Sequence, residues 1–86
     1  MVDVKLLSFV SRSEKREMIL TALENRSVTP TKLARELKIH RSQVSRTLLL
    51  FQDKGLVKCI TPNEKVGRLY ELTEKGKIVA KKIKNE

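Results

Sequence analysis

The stretch from residue 29 to residue 51 constrains the fold more than any other part of the chain. It opens with Thr29 and Pro30, which suit the N-cap and first position of a helix because proline has no backbone N–H to satisfy. Ile39 then lies in a short turn as an apolar plug. The stretch predicts a short helix, a tight turn and a second helix. The first helix gains a buried face from residues at helical spacing: Leu33, Ala34 and Leu37.

The second helix has one apolar face and one polar face. It begins near His40 or Arg41, and residues at i, i+4 and i+7 form its inward stripe. Ser42 and Arg46 point almost opposite that stripe, at about 100° per residue, with Gln43 on one flank. These side chains can hydrogen-bond to base edges or phosphates, and an ordinary solvated helix face is the alternative. The inward stripe consists of Val44, Leu48 and Phe51.

The positive charge of the chain gathers around this second helix. The formal net charge is +9 and the sequence pI is about 10.1. Residues 1–25 carry four basic and four acidic groups, whereas residues 26–70 carry ten basic and three acidic groups. No carboxylate occurs from Lys38 through Gln52. This distribution favours a polyanionic partner such as nucleic acid, with a generic basic surface as the competing explanation.

Several other classes of function lack the residues that they need. Cys59 is the only cysteine, which excludes an internal disulfide, and its apolar neighbours predict a small core or strand residue. His40 is the only histidine and has no carboxylate pair at metal-binding spacing, so no metal is expected. No catalytic set can be assembled, so neither an enzyme nor a cofactor is expected. No apolar stretch approaches the ~20 residues of a membrane helix, and a cytoplasmic protein is expected.

The residues before this stretch predict two further helices. Residues 2–10 carry apolar residues at helical spacing, although their alternation at the start leaves a strand as the alternative. Ser11 has capping-box spacing to a glutamate, and Ser13 is a second N-cap candidate. The following helix is predicted over Arg16–Glu24, and Val28 is expected to pair briefly as a strand.

The residues after this stretch predict a β-hairpin. The β-prone segments are Leu56–Ile60 and Arg68–Leu72, joined by a loop of about seven residues. Leu69 and Leu72 are expected on one face of the second strand, with Tyr70 on the other.

A glycine and a threonine bracket this hairpin. Gly55 suits the left-handed residue that closes the preceding helix, and Thr73 suits the N-cap of a last helix. That helix has an apolar face formed by Val79, Ala80 and Ile83.

This order of elements resembles the winged helix-turn-helix transcription regulators. The resemblance is carried by TPTKLARELKIHRSQVSRTL, FQDKGLV and KCITPNEKVGRLYELTEKGK, and it covers Ser11 to about Ile83. It is strongest to small archaeal members related to the MarR and ArsR classes. It implies an α+β, mostly α fold with a three-helix core, a two- or three-stranded β-wing and flanking terminal helices. One domain, 1–86, is expected, divided into an N-terminal segment 1–10, core and wing 11–72, and C-terminal helix 73–86.

The resemblance implies a sequence-specific regulator that binds double-stranded DNA. A reading helix, about 41–53, would enter the major groove, and a wing, 56–72, would contact the backbone or minor groove. The residues predicted to bind DNA are Thr31, Lys32, Arg41, Ser42, Gln43, Ser45, Arg46, Lys65 and Arg68.

Two departures from the family limit what the resemblance implies. ArsR-type metal sensors carry a cysteine pair that this chain lacks, so metal sensing is not expected. The terminal segments of ten to twelve residues leave little room for an effector pocket between them.

Two other functions stay open at this point. One is a winged-helix protein–protein interaction module of a transcription or chromatin assembly, which Leu49 and Leu50 on the reading helix favour. The other is a sequence-neutral chromatin or single-strand binder, for which the chain has few stacking aromatics.

Leu49 and Leu50 also predict a homodimer. Both point away from the inward stripe, roughly 140° and 120° from Val44, and covering them would remove apolar surface from water. The alternative is a solvent-exposed leucine without consequence. The expected cover is residues 2–10 and the last helix of the same or a second chain. The predicted interface residues are Leu6, Phe9, Val10, Leu49, Leu50, Val79 and Ile83.

Overall fold

Helices and one antiparallel β-hairpin form the described part of the protein, residues 3–65 and 67–85 of this computed structural model. The mostly helical α+β architecture with its two-stranded wing confirms the predicted fold class. None of the helices in these residues is long and apolar enough to cross a membrane. The elements are α1 (Val4–Ser11), α2 (Glu14–Thr21), α3 (Pro30–Leu37), α4 (Arg41–Asp53), β1 (Val57–Cys59), β2 (Tyr70–Leu72) and α5 (Glu74–Lys84).

The helix-turn-helix of α3 and α4 forms as the sequence predicts. The Thr29 hydroxyl accepts a hydrogen bond from the Lys32 backbone N–H at 3.2 Å. The helix α3 ends at Leu37, and the left-handed φ of 57° at its C-cap, Lys38, turns the chain sharply. The Ile39 N–H then donates to the Ala34 carbonyl at 3.1 Å, and the Ile39 side chain is buried in the turn. Local capping and one apolar plug therefore fix the angle between the two helices.

The hydrophobic core is organised around the inward face of α4. Val44, Leu48 and Phe51 are completely buried, as their spacing predicts. The Phe9 ring of α1 packs edge-on against Phe51, with the two ring centroids 6.3 Å apart. Each such side chain contributes about 1.5–3 kcal/mol by leaving water. Further fully buried residues of the core include Ile19, Leu20, Leu23, Leu33 and Leu56.

The N-caps of α1 and α2 are Asp3 and Ser13. The Asp3 carboxylate caps α1, and the segment is a helix and not a strand. The first residue predicted for this helix, Val2, lies outside the described residues. The N-cap of α2 is Ser13, whose hydroxyl accepts from the Arg16 N–H at 3.3 Å. Ser11 cannot serve as that cap because it is the last residue of α1.

The predicted bounds of the second helix, 16–24, were wrong at both ends. The helix begins at Glu14 and ends at Thr21, whose hydroxyl donates back to the Glu17 carbonyl at 2.7 Å. Leu23 is still buried, but it lies in the turn that follows. The predicted pairing of Val28 is confirmed by an isolated bridge to β2.

The strands of the wing are shorter than predicted, and one side-chain assignment was wrong. β1 pairs with β2 in the register Val57↔Leu72 and Cys59↔Tyr70, which leaves residues 60–65 and 67–69 outside the strands. Tyr70 and Leu72 both face the core, with Leu69 half-buried between strand and loop. Residues two apart in a strand share a face, so Tyr70 and Leu72 cannot lie on opposite faces.

The residue Thr73 fastens α5 to the end of α4. Its hydroxyl donates to the Gly55 carbonyl at 2.6 Å and accepts from the Gly76 N–H at 3.1 Å, while its own N–H donates to the Leu56 carbonyl at 3.0 Å. Gly55 has the predicted left-handed φ, 78°. At Gly76 the helix lies so close to the Leu56 carbonyl oxygen that an added Cβ would stand 1.9 Å from it.

Candidate nucleic-acid interface

The outward face of α4 carries the side chains predicted to read bases. Ser42 and Arg46 are exposed there, opposite the buried Val44. The Ser42 hydroxyl lies 2.9 Å from Nδ1 of His40, the residue that caps the helix. The first turn of α4 is thus ordered by its own cap, which holds Ser42 at the N-terminal end of the exposed face.

The flank of α4 is tied to α2 by a contact that the sequence did not reveal. The Lys15 ammonium group donates to Oε1 of Gln43 at 3.3 Å, and Gln43 is half-buried. These residues are 28 positions apart, so helical spacing alone gives no sign of the pair. The contact orients the Gln43 amide and adds a cation to this flank.

A groove of about 460 Å³ lies between the start of α3, the outer side of α4 and the wing. Five of the nine residues predicted to bind DNA meet there, and they come from three separate parts of the chain. The fold therefore assembles hydroxyl groups and cations from sequence-distant positions on one concave surface. The lining residues are Pro30, Thr31, Arg41, Ser45, Leu49, Lys65, Gly67, Arg68 and Tyr70.

The wing side of this groove is held by Arg68. Its Nε donates to the Glu64 carbonyl at 2.6 Å and so closes the loop onto itself. Gly67, with a φ of 74°, provides the left-handed turn just before it. Arg68 and Lys65 are both exposed. The guanidinium has donors beyond Nε, so Arg68 can order the loop and still present charge to an anion.

Four acidic side chains of the described residues form ion pairs away from this groove. Arg26 donates to the Glu36 carboxylate of α3 through its two terminal guanidinium nitrogens, and this hydrogen bonding lowers the pKa of Glu36. The other ion pairs join Lys58–Glu71, Lys77–Glu74 and Lys84–Glu24. Within residues 3–65 and 67–85, no ion pair involves any of the predicted DNA-binding cations, Lys32, Arg41, Arg46, Lys65 and Arg68.

The sequence matches a family model over almost its whole length. Residues 5–85 match the HVO_A0261 N-terminal domain. The chain belongs to this family. A comparison with curated proteins gives no match.

Solved structures show that this HVO_A0261-type domain has the fold of the MarR-type winged-helix regulators. It is 34% identical to Lactococcus lactis ZitR in complex with DNA, covering 80% of this chain and 48% of that one, with a TM-score of 0.71. It is 26% identical to the reduced form of MarR from E. coli, covering 91% of this chain and 59% of that one, with a TM-score of 0.75. It is 22% identical to the transcriptional regulator SlyA, covering 93% of this chain and 58% of that one, with a TM-score of 0.77. The domain thus spans about half of the ZitR chain.

Four residues predicted to bind DNA lie outside the groove. Ser42 and Arg46 occupy the neighbouring exposed face of α4, and Gln43 lies on the α2 flank. Lys32 is exposed on the first turn of α3. The groove also contains Leu49, for which the sequence predicts a protein interface. Leu49 follows Ser45 by four positions, so the two side chains lie on the same side of α4 and both line the groove.

The domain buries part of the predicted dimer interface in its own core. Leu6, Val10 and Val79 are between 0% and 8% exposed within one chain, so they offer no surface to a second one. Phe9 and Ile83 are half-buried, and Leu49 and Leu50 are exposed.

Cys59 and the metal-ligating residue types form no site in the described ranges. Cys59 is half-buried in β1, in keeping with its prediction as a strand residue. Among residues 3–65 and 67–85, no three side chains of histidine, cysteine, aspartate or glutamate lie close enough to hold a metal ion.

Proposed function

We propose that this domain is a sequence-specific transcriptional regulator that binds double-stranded DNA. The reading helix, α4, lies in the major groove, and the wing, residues 56–72, contacts the backbone or the minor groove. The observation that carries the proposal is the groove in which Thr31, Arg41, Ser45, Lys65 and Arg68 converge from α3, α4 and the wing. Hydroxyl groups and cations gathered in one groove match the phosphate and base-edge chemistry of a duplex.

Charge and similarity support the same proposal. Residues 26–70, which include α3, α4 and the loop of the wing, carry ten basic and three acidic groups and so account for +7 of the net charge of +9. The DNA complex of ZitR shows that a protein with a similar fold, 34% identical in the matched part, binds DNA. A sequence-specific reading helix needs donors and acceptors at its exposed face, and Ser42 and Arg46 supply them.

The decisive experiment is selection of bound sequences from random duplex DNA at a stated salt concentration. We expect a short consensus, and a palindromic one if two copies bind together. Random single-stranded DNA is the matched control and should give no consensus. Binding without any enriched sequence would contradict the specific regulator and leave a non-specific DNA binder.

A protein–protein interaction module is the second candidate, because Leu49 and Leu50 are 56% and 43% exposed on α4. Exposed apolar groups on a reading helix suit a protein partner better than a phosphate backbone. Absence of any duplex binding at low salt would favour this candidate over the regulator.

The wing is expected to act through charge. Neutralising Lys65 and Arg68 with glutamine should weaken binding to every duplex and reduce the slope of log affinity against log salt by about one to two units, at ~0.9 per phosphate contact. Fluorescence titration across salt concentrations measures the slope. Lys81→Gln with Lys82→Gln removes the same charge from α5 and should leave the slope as it is. An unchanged slope in the wing variant would place the wing off the DNA.

We further propose that the domain binds as a homodimer held by α1 and α5. These terminal helices pack on one another, yet Val4 of α1 is 73% exposed and Ile78 of α5 is 44% exposed. Leu50 lies on the flank of α4 that faces α1 and α2, beside Lys54, whose ammonium group stands over the Phe9 ring. A dimer through the terminal helices would bring these exposed side chains out of water.

Sedimentation of the purified domain tests this dimer. We expect the wild type to sediment as a dimer at micromolar concentrations and Ile78→Lys to shift it toward monomer, because a buried ammonium group is costly. Ile60→Lys is the matched control, since Ile60 is 41% exposed but lies at the wing. A monomeric wild type, or equal effects of the two variants, would rule out this interface.

A further inference from the structure

Leu49 is an apolar side chain among polar ones on the outward face of α4. It is 56% exposed, although a leucine left in water forfeits the free energy of its burial. Its neighbours on that face are Ser42, Ser45 and Arg46, which have polar groups for bases and phosphates. No element of the described residues covers Leu49 in the folded chain. It therefore meets solvent unless something outside the chain covers it.

The helical position of Leu49 aligns it with the residues that face DNA in the proposed function. Seven positions along an α-helix return the side-chain direction to within about 20°, so Leu49 lies in line with Ser42, about 10 Å farther along the axis. It also lines the groove shared with Arg41, Ser45 and the wing. Leu50 points about 100° away, on the flank where Gln43 contacts α2. Of the two exposed leucines, Leu49 is the one on the reading surface.

The major groove of DNA presents few apolar groups to a side chain in this position. Base edges there offer donors and acceptors, and the exception is the 5-methyl group of thymine. We infer that Leu49 contacts the 5-methyl group of a thymine, and that Leu49 thereby makes the reading helix prefer T·A at one position of the bound sequence. The inference rests on the proposed DNA binding and adds a base identity to it. The basic groove wall formed by Arg41, Lys65 and Arg68 would hold the adjoining backbone while Leu49 meets the base.

Removal of one methyl group tests the contact directly. The probe is the duplex recovered by the selection experiment, with each thymine replaced in turn by deoxyuridine, which keeps base pairing and lacks only the 5-methyl group. At one thymine of a half-site we expect the wild-type affinity to fall about three- to fivefold, the effect of exposing one buried methyl group. Replacements at the other thymines should change the affinity little.

A variant of the leucine completes the test. Leu49→Ala should weaken binding to the thymine duplex and should bind the thymine and uracil duplexes equally at the sensitive position. Leu50→Ala is the matched control and should keep the wild-type ratio between the two duplexes. Because Leu49 is exposed, thermal unfolding of Leu49→Ala should match the wild type, so that a weaker affinity reports the contact and not the fold.

Three results would overturn the inference. They are a consensus without thymine, a duplex whose affinity is insensitive to every deoxyuridine, and a Leu49→Ala variant that keeps the wild-type ratio. With a consensus in hand, these results remove only the methyl contact and leave the DNA-binding function standing. Failure to bind any duplex removes both.

Discussion

Replacement of Gly76 by alanine is expected to lower the free energy of unfolding by about 3 kcal/mol. The added Cβ would stand 1.9 Å from the Leu56 carbonyl oxygen and 3.2 Å from a Leu72 methyl carbon. The obstructing atom is backbone, and that same carbonyl accepts the Thr73 N–H, so neither side can move without breaking the link between α5 and the end of α4. In an exposed helix the same substitution would stabilise by about 1 kcal/mol, which makes the sign of the effect informative.

Urea and thermal unfolding measure this effect, and the midpoint temperature should fall by roughly 10 °C or more. Lys75→Ala is the matched control, because Lys75 is exposed in the same turn of α5 and its replacement should change stability little. An alanine variant of Gly76 as stable as the wild type would mean that α5 does not approach the Leu56 carbonyl so closely.

The second large effect is expected at Arg46. If its guanidinium group reads a base edge, Arg46→Ala should cost about 1–3 kcal/mol, or about five- to 150-fold in affinity, on the selected sequence. It should also relax the preference at one position of the consensus, because a bidentate contact to a base distinguishes that base from the other three. Arg46 is exposed, so the loss should not come from unfolding.

Two measurements separate base reading from charge at this position. Selection repeated with Arg46→Ala shows whether one consensus position becomes variable, and titration on unrelated duplexes shows whether the loss is general. Arg12→Ala, at an exposed arginine after α1, is the matched control for loss of charge. An equal loss on all duplexes would reduce Arg46 to a phosphate contact.

The helix-turn-helix could be predicted from sequence because its determinants are local. Thr29 caps α3 and Pro30 is its first residue, so the start of this helix depends on adjacent residues only. Val44, Leu48 and Phe51 share one face of α4 because of their spacing alone. Thr73 marks the start of the last helix in the same local way. Such signals depend on neighbours along the chain, and the surrounding fold does not alter them.

The errors arose where several local signals competed or where the tertiary fold decides. Ser11 and Ser13 are both sound N-caps, and only the end of α1 at Ser11 selects between them. The Gln43–Lys15 contact depends on how α2 and α4 cross, which spacing does not encode. The groove itself requires the wing to return beside α3, so helical spacing predicts that Leu49 is exposed but not that it lines a groove with the wing.

A single aromatic contact, between Phe9 and Phe51, packs α1 against α4. Phe51, at the last turns of α4, is completely buried, and the Phe9 ring stands edge-on against it while the Arg16 guanidinium group lies 4.1 Å from the centroid of the Phe9 ring. A shift of α1 would open a void beside Phe51, and close-packed interiors resist such voids. Because of this packing, α1 and α4 are expected to move together. A partner that binds α1 would therefore also fix the orientation of α4.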